Sequence, residues 1–128
     1  MTASRKRENS MIRIDKHLQE QVNHIAAMLS DSDKYTAMRR EDLSEDFNED
    51  ENTGAYDWLS DVLDIKYIVT SDGTYSGSRV CVALGGPNIW VDFETMQVEG
   101  YWGCDRATAL FTDDMGVEDV LIEMWETR

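Results

Sequence analysis

The N-terminal half of the chain carries apolar residues at helical spacing. Four of them recur at intervals of four, three and four residues, namely Leu18, Val22, Ile25 and Leu29. This spacing places them on one stripe of an amphipathic helix. Asp15 is a candidate N-cap for that helix, and the polar run over residues 30–33 predicts its end.

The next segment, residues 35–52, has only isolated apolar positions among many charges, which predicts a short charged helix or an ordered loop. Asn52, Thr53 and Gly54 form a break. Beyond this break, the apolar residues between Trp58 and Leu63 predict a short amphipathic helix whose other side carries aspartates.

From residue 65 the hydrophobic period changes to two, the period of a strand that is buried on one face. Strands are predicted at residues 65–70, 79–84, 89–92, 98–102 and, as a possible fifth, 107–111. The short turns between them are typical of an antiparallel β-meander. In the third strand, alternation places Ile89, Val91 and Phe93 on one face of the sheet and Trp90 on the other.

A final helix is predicted after a cap at Thr112 or Asp113. Its apolar face consists of Val117, Val120, Leu121, Met124 and Trp125. The whole pattern predicts an α+β fold, with N-terminal helices, a four- to five-stranded antiparallel β-meander and a C-terminal helix packed on one sheet face. We expect a single domain over residues 12–128, preceded by a disordered basic tail over residues 1–11.

Composition agrees with one folded domain. The 128 residues are 41% hydrophobic, enough for a core despite the high charge. No apolar run approaches the roughly 20 residues of a membrane helix, and the basic N-terminus lacks the apolar region of a signal peptide. These features predict a cytoplasmic protein in which Cys81 and Cys104 are free thiols.

The distribution of charge is the most informative feature of the composition, because negative charge is concentrated in one segment. The formal net charge is −14, and residues 41–64 contain ten acidic side chains and no basic one. They are Glu41, Asp42, Glu45, Asp46, Glu49, Asp50, Glu51, Asp57, Asp61 and Asp64. Such a balance argues against direct binding to nucleic acid. It favours a basic partner surface or simple solubility, and we take these ten as the candidate partner-binding residues.

Two interpretations of this acidic segment, residues 41–64, stay open. In the first, its carboxylates imitate the phosphates of DNA and bind a protein groove lined with Lys and Arg. A second acidic group is expected to extend that surface, namely Asp113, Asp114, Glu118 and Asp119. The i,i+4 pair Glu41/Glu45 destabilises an isolated helix, a cost that a basic partner would offset. In the second interpretation, the segment is a solvated, partly disordered acidic face.

A calcium loop is a further interpretation of the same residues. Asp46, Asn48 and Asp50 match its first, third and fifth positions. Glu51 stands where glycine is required, however, and Asp57 stands where glutamate is required. These two departures argue against a calcium site.

Other chemistry has less support. His17 and His24 lie on nearly one helix face, but no third zinc ligand follows at a suitable spacing. The loop at residues 85–87 lacks the lysine of a phosphate-binding loop, and neither cysteine has a recognisable base. The sequence therefore predicts no metal, no cofactor and no enzymatic activity.

The most distinctive stretch is GGPNIWVDFETMQVEGYWG, residues 85–103. Together with DVLDI at residues 61–65 and the acidic helix at residues 118–125, it resembles a group of small bacterial proteins from mobile elements of Gram-positive organisms. The resemblance covers roughly the C-terminal half of the chain. It implies a shared fold, in which Gly100 and Gly103 let strands bend or pack against a large ring. Small acidic proteins of such elements resemble inhibitors of host defence, including anti-CRISPR and anti-restriction proteins.

We therefore expect a non-enzymatic inhibitor that binds the basic, PAM-reading groove of a CRISPR effector nuclease as a DNA mimic. The alternative is an acidic interaction or regulatory domain, anti-restriction or antitoxin-like, without DNA mimicry. A third class is a small hydrolase or transferase that uses the GGPN loop with Trp90 and Trp102. Neither a membrane nor nucleic acid is an expected direct partner.

Overall fold

The computed structural model describes the backbone of residues 2–128 and the side chains of residues 16–128. The elements in chain order are α1 (Thr2–Ser30), α2 (Ser32–Leu43), a 3-10 turn (Ser44–Asp46), α3 (Gly54–Ser60), β1 (Asp64–Val69), β2 (Tyr75–Ala83), β3 (Asn88–Asp92), β4 (Gln97–Trp102), β5 (Asp105–Leu110) and α4 (Val117–Glu126). This order confirms the predicted α+β class. Helix α1 includes residue 15, so Asp15 lies within the helix and the prediction that it is the N-cap is wrong. The same helix includes residues 2–11, where a disordered tail was expected.

The five strands form one antiparallel sheet in the order β1-β2-β3-β4-β5. Each strand pairs with its neighbour in sequence, so the predicted meander is confirmed. One row of partners crosses all five strands, namely Ile65, Val80, Val91, Val98 and Ala109. This row belongs to the face on which the helices pack.

Helix α1 covers β4 and β5 with the predicted apolar stripe. Leu18, Val22 and Leu29 are buried, whereas Ile25 is half-buried against the same core. Gly100 makes this close approach possible, because a Cβ at that position would lie 2.7 Å from Val22 Cγ2. The glycine therefore accommodates aliphatic side chains of a helix, which corrects the expectation that it packs against a large ring.

A different glycine meets a large ring. A Cβ at Gly86 would lie 3.3 Å from Cζ3 of Trp102, so the GGPN connection packs closely over that indole. Gly103 instead adopts φ +58 in the turn between β4 and β5, a conformation that favours glycine.

The C-terminal helix α4 buries Val117, Val120 and Leu121 of its predicted apolar face. Met124 is exposed, and Trp125 is half-buried with its ring centroid 5.3 Å from that of Tyr67. The carboxylate of Asp113 accepts the backbone N–H groups of residues 117 and 118, both at 2.8 Å. The N-cap residue of α4 is Gly116, so the predicted cap at Thr112 or Asp113 is wrong in position. Asp113 nevertheless satisfies two of the first N–H groups of the helix from a position further upstream.

The face of the sheet opposite the helices carries charged and aromatic side chains. We call it the open sheet face and define it by Lys66, Arg79, Trp90, Asp92, Glu99, Tyr101 and Arg106. Cys81 lies on the same face but is buried, and burial raises the pKa of its thiol. Cys81 and the exposed Cys104 are both free, as predicted. No helix in the described part of the chain combines the length and apolar character that a membrane crossing requires.

Candidate partner-binding surface

The acidic segment follows the C-terminal end of α2, the 3-10 turn, the loop at residues 47–53, all of α3 and the start of β1. Nine of its ten carboxylate side chains are exposed, namely Glu41, Asp42, Glu45, Asp46, Glu49, Asp50, Glu51, Asp61 and Asp64. Asp57 is the exception, because it is only 6% exposed. The prediction of a surface acidic stretch therefore describes nine of these residues and not the tenth.

Uncharged side chains hold the loop within the acidic segment. The backbone N–H of Asn48 donates to Oδ1 of Asn52 at 2.8 Å, and that of Asp50 donates to Oδ1 of Asn48 at 2.9 Å. The hydroxyl of Thr53 donates to the Glu49 carbonyl at 2.7 Å. Side-chain amides and hydroxyls often close turns in this way. The loop is ordered without using its carboxylates, so these remain directed to solvent.

Asp57 is a buried residue of α3 that connects this helix to α2. Its Oδ2 accepts hydrogen bonds from the Tyr35 hydroxyl at 2.6 Å and from Arg39 Nε at 2.8 Å, and its Oδ1 accepts one from Arg39 Nη2 at 3.3 Å. Burial and the bond to Asp57 raise the pKa of Tyr35, and the same carboxylate raises the pKa of Arg39. Asp57 is therefore a structural residue, which corrects its assignment to an exposed binding surface.

The nine exposed carboxylates have no ion-pair partner among the side chains of residues 16–128. The nearest cation in sequence, Arg40, lies instead over the Phe47 ring, 5.0 Å from its centroid. Glu41 and Asp42 also lie in the last turn of α2, where the helix dipole disfavours negative charge by roughly 0.3–1 kcal/mol each. Arg40 in the same turn partly offsets this effect, but it forms no ion pair with the acidic segment among the described side chains.

The second acidic group differs from the acidic segment. Asp113 accepts the first N–H groups of α4, and Oδ2 of Asp114 accepts the backbone N–H of Ser32 at 2.8 Å, which lowers the pKa of Asp114. Glu118 accepts the Tyr75 hydroxyl at 3.3 Å. Three members of this group therefore position helices, and their expected role as an extension of the binding surface has no support from the geometry.

Sequence reasoning missed the charge network on the open sheet face. Glu99 Oε2 accepts from Arg79 Nη2 at 2.8 Å and from the Tyr101 hydroxyl at 3.2 Å, while its Oε1 lies 3.7 Å from Arg106 Nη2. The Arg79 guanidinium also lies 5.2 Å from the centroid of Trp90. These partners are separated by as many as 20 residues along the chain. The strand register brings them together. Only a prediction of which residues lie opposite one another on neighbouring strands would have revealed this network.

Metal chemistry has no candidate site within the described residues, because no three of their His, Cys, Asp and Glu side chains are arranged to hold an ion. His17 and His24 are exposed on α1 and line a cavity of about 410 Å³ together with Glu20. This cavity has apolar contributions from Ile25 and Ile89.

Comparisons of the chain with protein-family models, with curated proteins and with solved structures gave no match.

Proposed function

We propose that this chain is a cytoplasmic inhibitor protein that binds the basic DNA-binding groove of a CRISPR effector nuclease in place of DNA. The observation that supports this proposal is the exposure of nine carboxylates, unpaired within residues 16–128, on one ordered segment. The proposal assigns the chain no catalytic role. Its activity would consist of occupying a site.

Order in the acidic segment favours this function. A charged loop that must become ordered on binding loses affinity through lost conformational freedom. Here the Asn48 and Asn52 side chains already hold the loop, and the Asp57 ion pair holds the two helices on either side of it. The carboxylates are therefore presented at the ends of elements with fixed positions, as the phosphates of a duplex are.

Arginine residues that read a PAM are suitable partners for such carboxylates. They form bidentate hydrogen bonds with planar acceptors in the major groove, and carboxylates accept the same paired donors. A groove that binds DNA through many phosphate contacts also carries a strong positive field. Both features favour competition between the acidic segment and DNA for one site.

A second candidate function is an interaction or regulatory domain, anti-restriction or antitoxin-like, that does not imitate DNA. Exposed apolar side chains on the β4–β5 strand pair favour it, because Trp102 is 44% exposed at one end of the pair and Leu110 is 74% exposed at the other. Such groups favour contact with an apolar protein surface. This function predicts binding that salt affects little.

The test measures binding of the chain to a purified CRISPR effector nuclease, with and without PAM-containing DNA already bound. DNA mimicry predicts binding to the DNA-free enzyme and little binding to the loaded enzyme. It also predicts a loss of affinity of at least about tenfold between about 50 and 200 mM salt. Equal affinity for the free and loaded enzymes would exclude mimicry and favour the second function.

A further inference from the structure

A cavity of about 200 Å³ adjoins the acidic segment between α1, α2, α3 and the end of β2. Its apolar lining consists of Ile25, Met28, Met38, Trp58, Val62 and Val82. Its polar lining includes Arg39 and Asp61. Asp61 therefore belongs both to this cavity and to the exposed acidic segment, and it connects an apolar recess to the charged surface.

The charges beside the cavity do not balance. Arg39 directs both of its bonded nitrogens at Asp57, at 2.8 and 3.3 Å. Asp61 interacts with Arg39 electrostatically, but it forms no ion pair or side-chain hydrogen bond with any described residue. One cation thus faces two carboxylates, and the surplus negative charge lies on Asp61 at the rim.

We propose that this cavity receives the side chain of one arginine from the partner protein. Its guanidinium would bind the Asp61 carboxylate, and its methylene stem would lie against Met38 and Val62. The Trp58 indole offers a ring for the planar cation. Arginine side chains in small, apolar pockets are frequent sources of binding energy at protein interfaces. The inference rests on the proposed function, since it names the basic group that the partner would insert.

Arginine fits this recess better than lysine does. Its guanidinium is planar, is more weakly hydrated than an ammonium group and combines stacking with bidentate hydrogen bonding. A lysine would bring a strongly hydrated point charge into a recess with mainly apolar walls. The cavity is also large enough for only one long side chain, so the proposal concerns a single anchor within a wider interface.

The test uses the full chain and a blocked Gly-Arg-Gly tripeptide as the probe, followed by NMR of methionine methyl and tryptophan indole signals. We expect saturable shifts at Met28, Met38 and Trp58. Replacing arginine by citrulline, which is similar in shape but uncharged, should weaken binding about tenfold. The lysine peptide should bind about threefold more weakly than the arginine peptide.

A matched pair of variants separates the cavity from general charge. Asp61→Asn should weaken binding of the arginine peptide about fivefold, since it removes the rim carboxylate. Asp33→Asn removes the same charge from an exposed residue that neither belongs to the acidic segment nor lines the cavity, and it should change binding less than about twofold. Equal weakening by both variants, or the absence of a saturable shift, would overturn the proposal.

The two proposals fail in different ways. If the arginine peptide binds as described but no nuclease is bound, the cavity is an arginine site and the proposed function is wrong. If a nuclease is bound in competition with DNA, and Asp61→Asn weakens that binding no more than Asp33→Asn does, the proposed function is supported and the arginine anchor is overturned.

Discussion

Two regions of the molecule use carboxylates in opposite ways. On the open sheet face, the side chains of Asp92 and Glu99 are only 11% and 12% exposed, and both form ion pairs with Arg79. In the acidic segment, nine exposed carboxylates have no cationic partner among the described side chains. Cross-strand pairing between opposite charges stabilises a sheet, whereas concentrated like charges destabilise the compact state.

The comparison indicates that some acidic residues stabilise the fold through ion pairs, whereas others are exposed and have no cationic partner among the described side chains. Asp57 shows the division most clearly, because it lies within the acidic segment and is nevertheless buried against Tyr35 and Arg39. Four residues further on, Asp61 is exposed and unpaired among the described residues. The two aspartates have the same chemistry, so their surroundings determine their different roles.

The largest expected effect comes from these two aspartates. Asp57→Asn leaves the partly buried Arg39 without its ionic partner and should lower the free energy of unfolding by about 2–4 kcal/mol. Asp61→Asn removes the same charge from the surface and should change that free energy by less than about 0.5 kcal/mol. Urea unfolding of both variants measures the difference. Similar values for the two would remove the distinction between structural and free carboxylates.

A smaller loss is expected on the open sheet face. Arg79 Nε lies 3.6 Å from Asp92 Oδ2, which is within ion-pair distance but too long for a hydrogen bond, and this nitrogen is buried without a hydrogen-bond partner. Arg79 therefore depends mainly on Glu99.

Glu99→Gln keeps the shape of the side chain but removes its charge, and it should destabilise the fold by about 1–2 kcal/mol. Thermal unfolding beside Glu49→Gln, a matched change in the acidic segment, provides the comparison. The control should lose less than about 0.5 kcal/mol. An equal loss in both variants would contradict the role given to the sheet network.

Prediction from sequence worked where local periodicity determines structure. The apolar stripe of α1 and the alternation in β3 place Val22 and Val91 in the core, as expected. The second strand began four residues earlier than predicted, because Tyr75, Ser76, Gly77 and Ser78 carry little strand-like hydrophobic alternation and are ordered by pairing with β1.

The candidate site was predictable only in part, for a related reason. Composition identifies an acidic stretch, and most of it is exposed. It does not show that Asp57 is buried, because its partners Tyr35 and Arg39 belong to another helix. Nor does it show that Asp114 holds the start of α2 from 82 residues away. Such contacts arise from packing, which one-dimensional patterns do not contain.

Glu118 represents a third case between the paired and the free carboxylates, and it should show the smallest effect. Burial, with the nearby Asp113 and Asp119, raises its pKa above the ordinary value of 4.5. A raised pKa in the folded state means that this group stabilises the fold fully below that ordinary value. Its contribution is lost as the pH rises through the folded pKa, so the ionised side chain is unfavourable at neutral pH.

Glu118→Gln should therefore unfold at a slightly higher temperature than the parent chain at neutral pH. The difference should close below about pH 4, where the glutamate is protonated in both states. Melting temperatures from pH 3 to pH 8 test the sign. A variant that is less stable than the parent at neutral pH would show that the charge on Glu118 is favourable at the start of α4.

The central claim is that the free carboxylates of the acidic segment serve binding and not stability. Four of them, Asp46, Glu49, Asp50 and Glu51, can be reversed to lysine without removing any described side-chain hydrogen bond. A matched control reverses four exposed acidic residues elsewhere, namely Glu20, Asp33, Asp119 and Glu126. Both variants change the net charge equally. Asp33 and Asp119 lie in the first turns of α2 and α4, so the control is expected to lose some stability through the helix dipole.

The most direct measurement is the affinity of these two variants for the DNA-free nuclease, with each shown to be folded by its unfolding midpoint. We predict that reversal within the acidic segment lowers affinity at least about 100-fold, whereas the control loses less than about tenfold. The midpoint of the first variant should equal or exceed that of the parent chain, because like-charge repulsion is relieved. Undiminished affinity in a folded variant with the segment reversed would contradict the account.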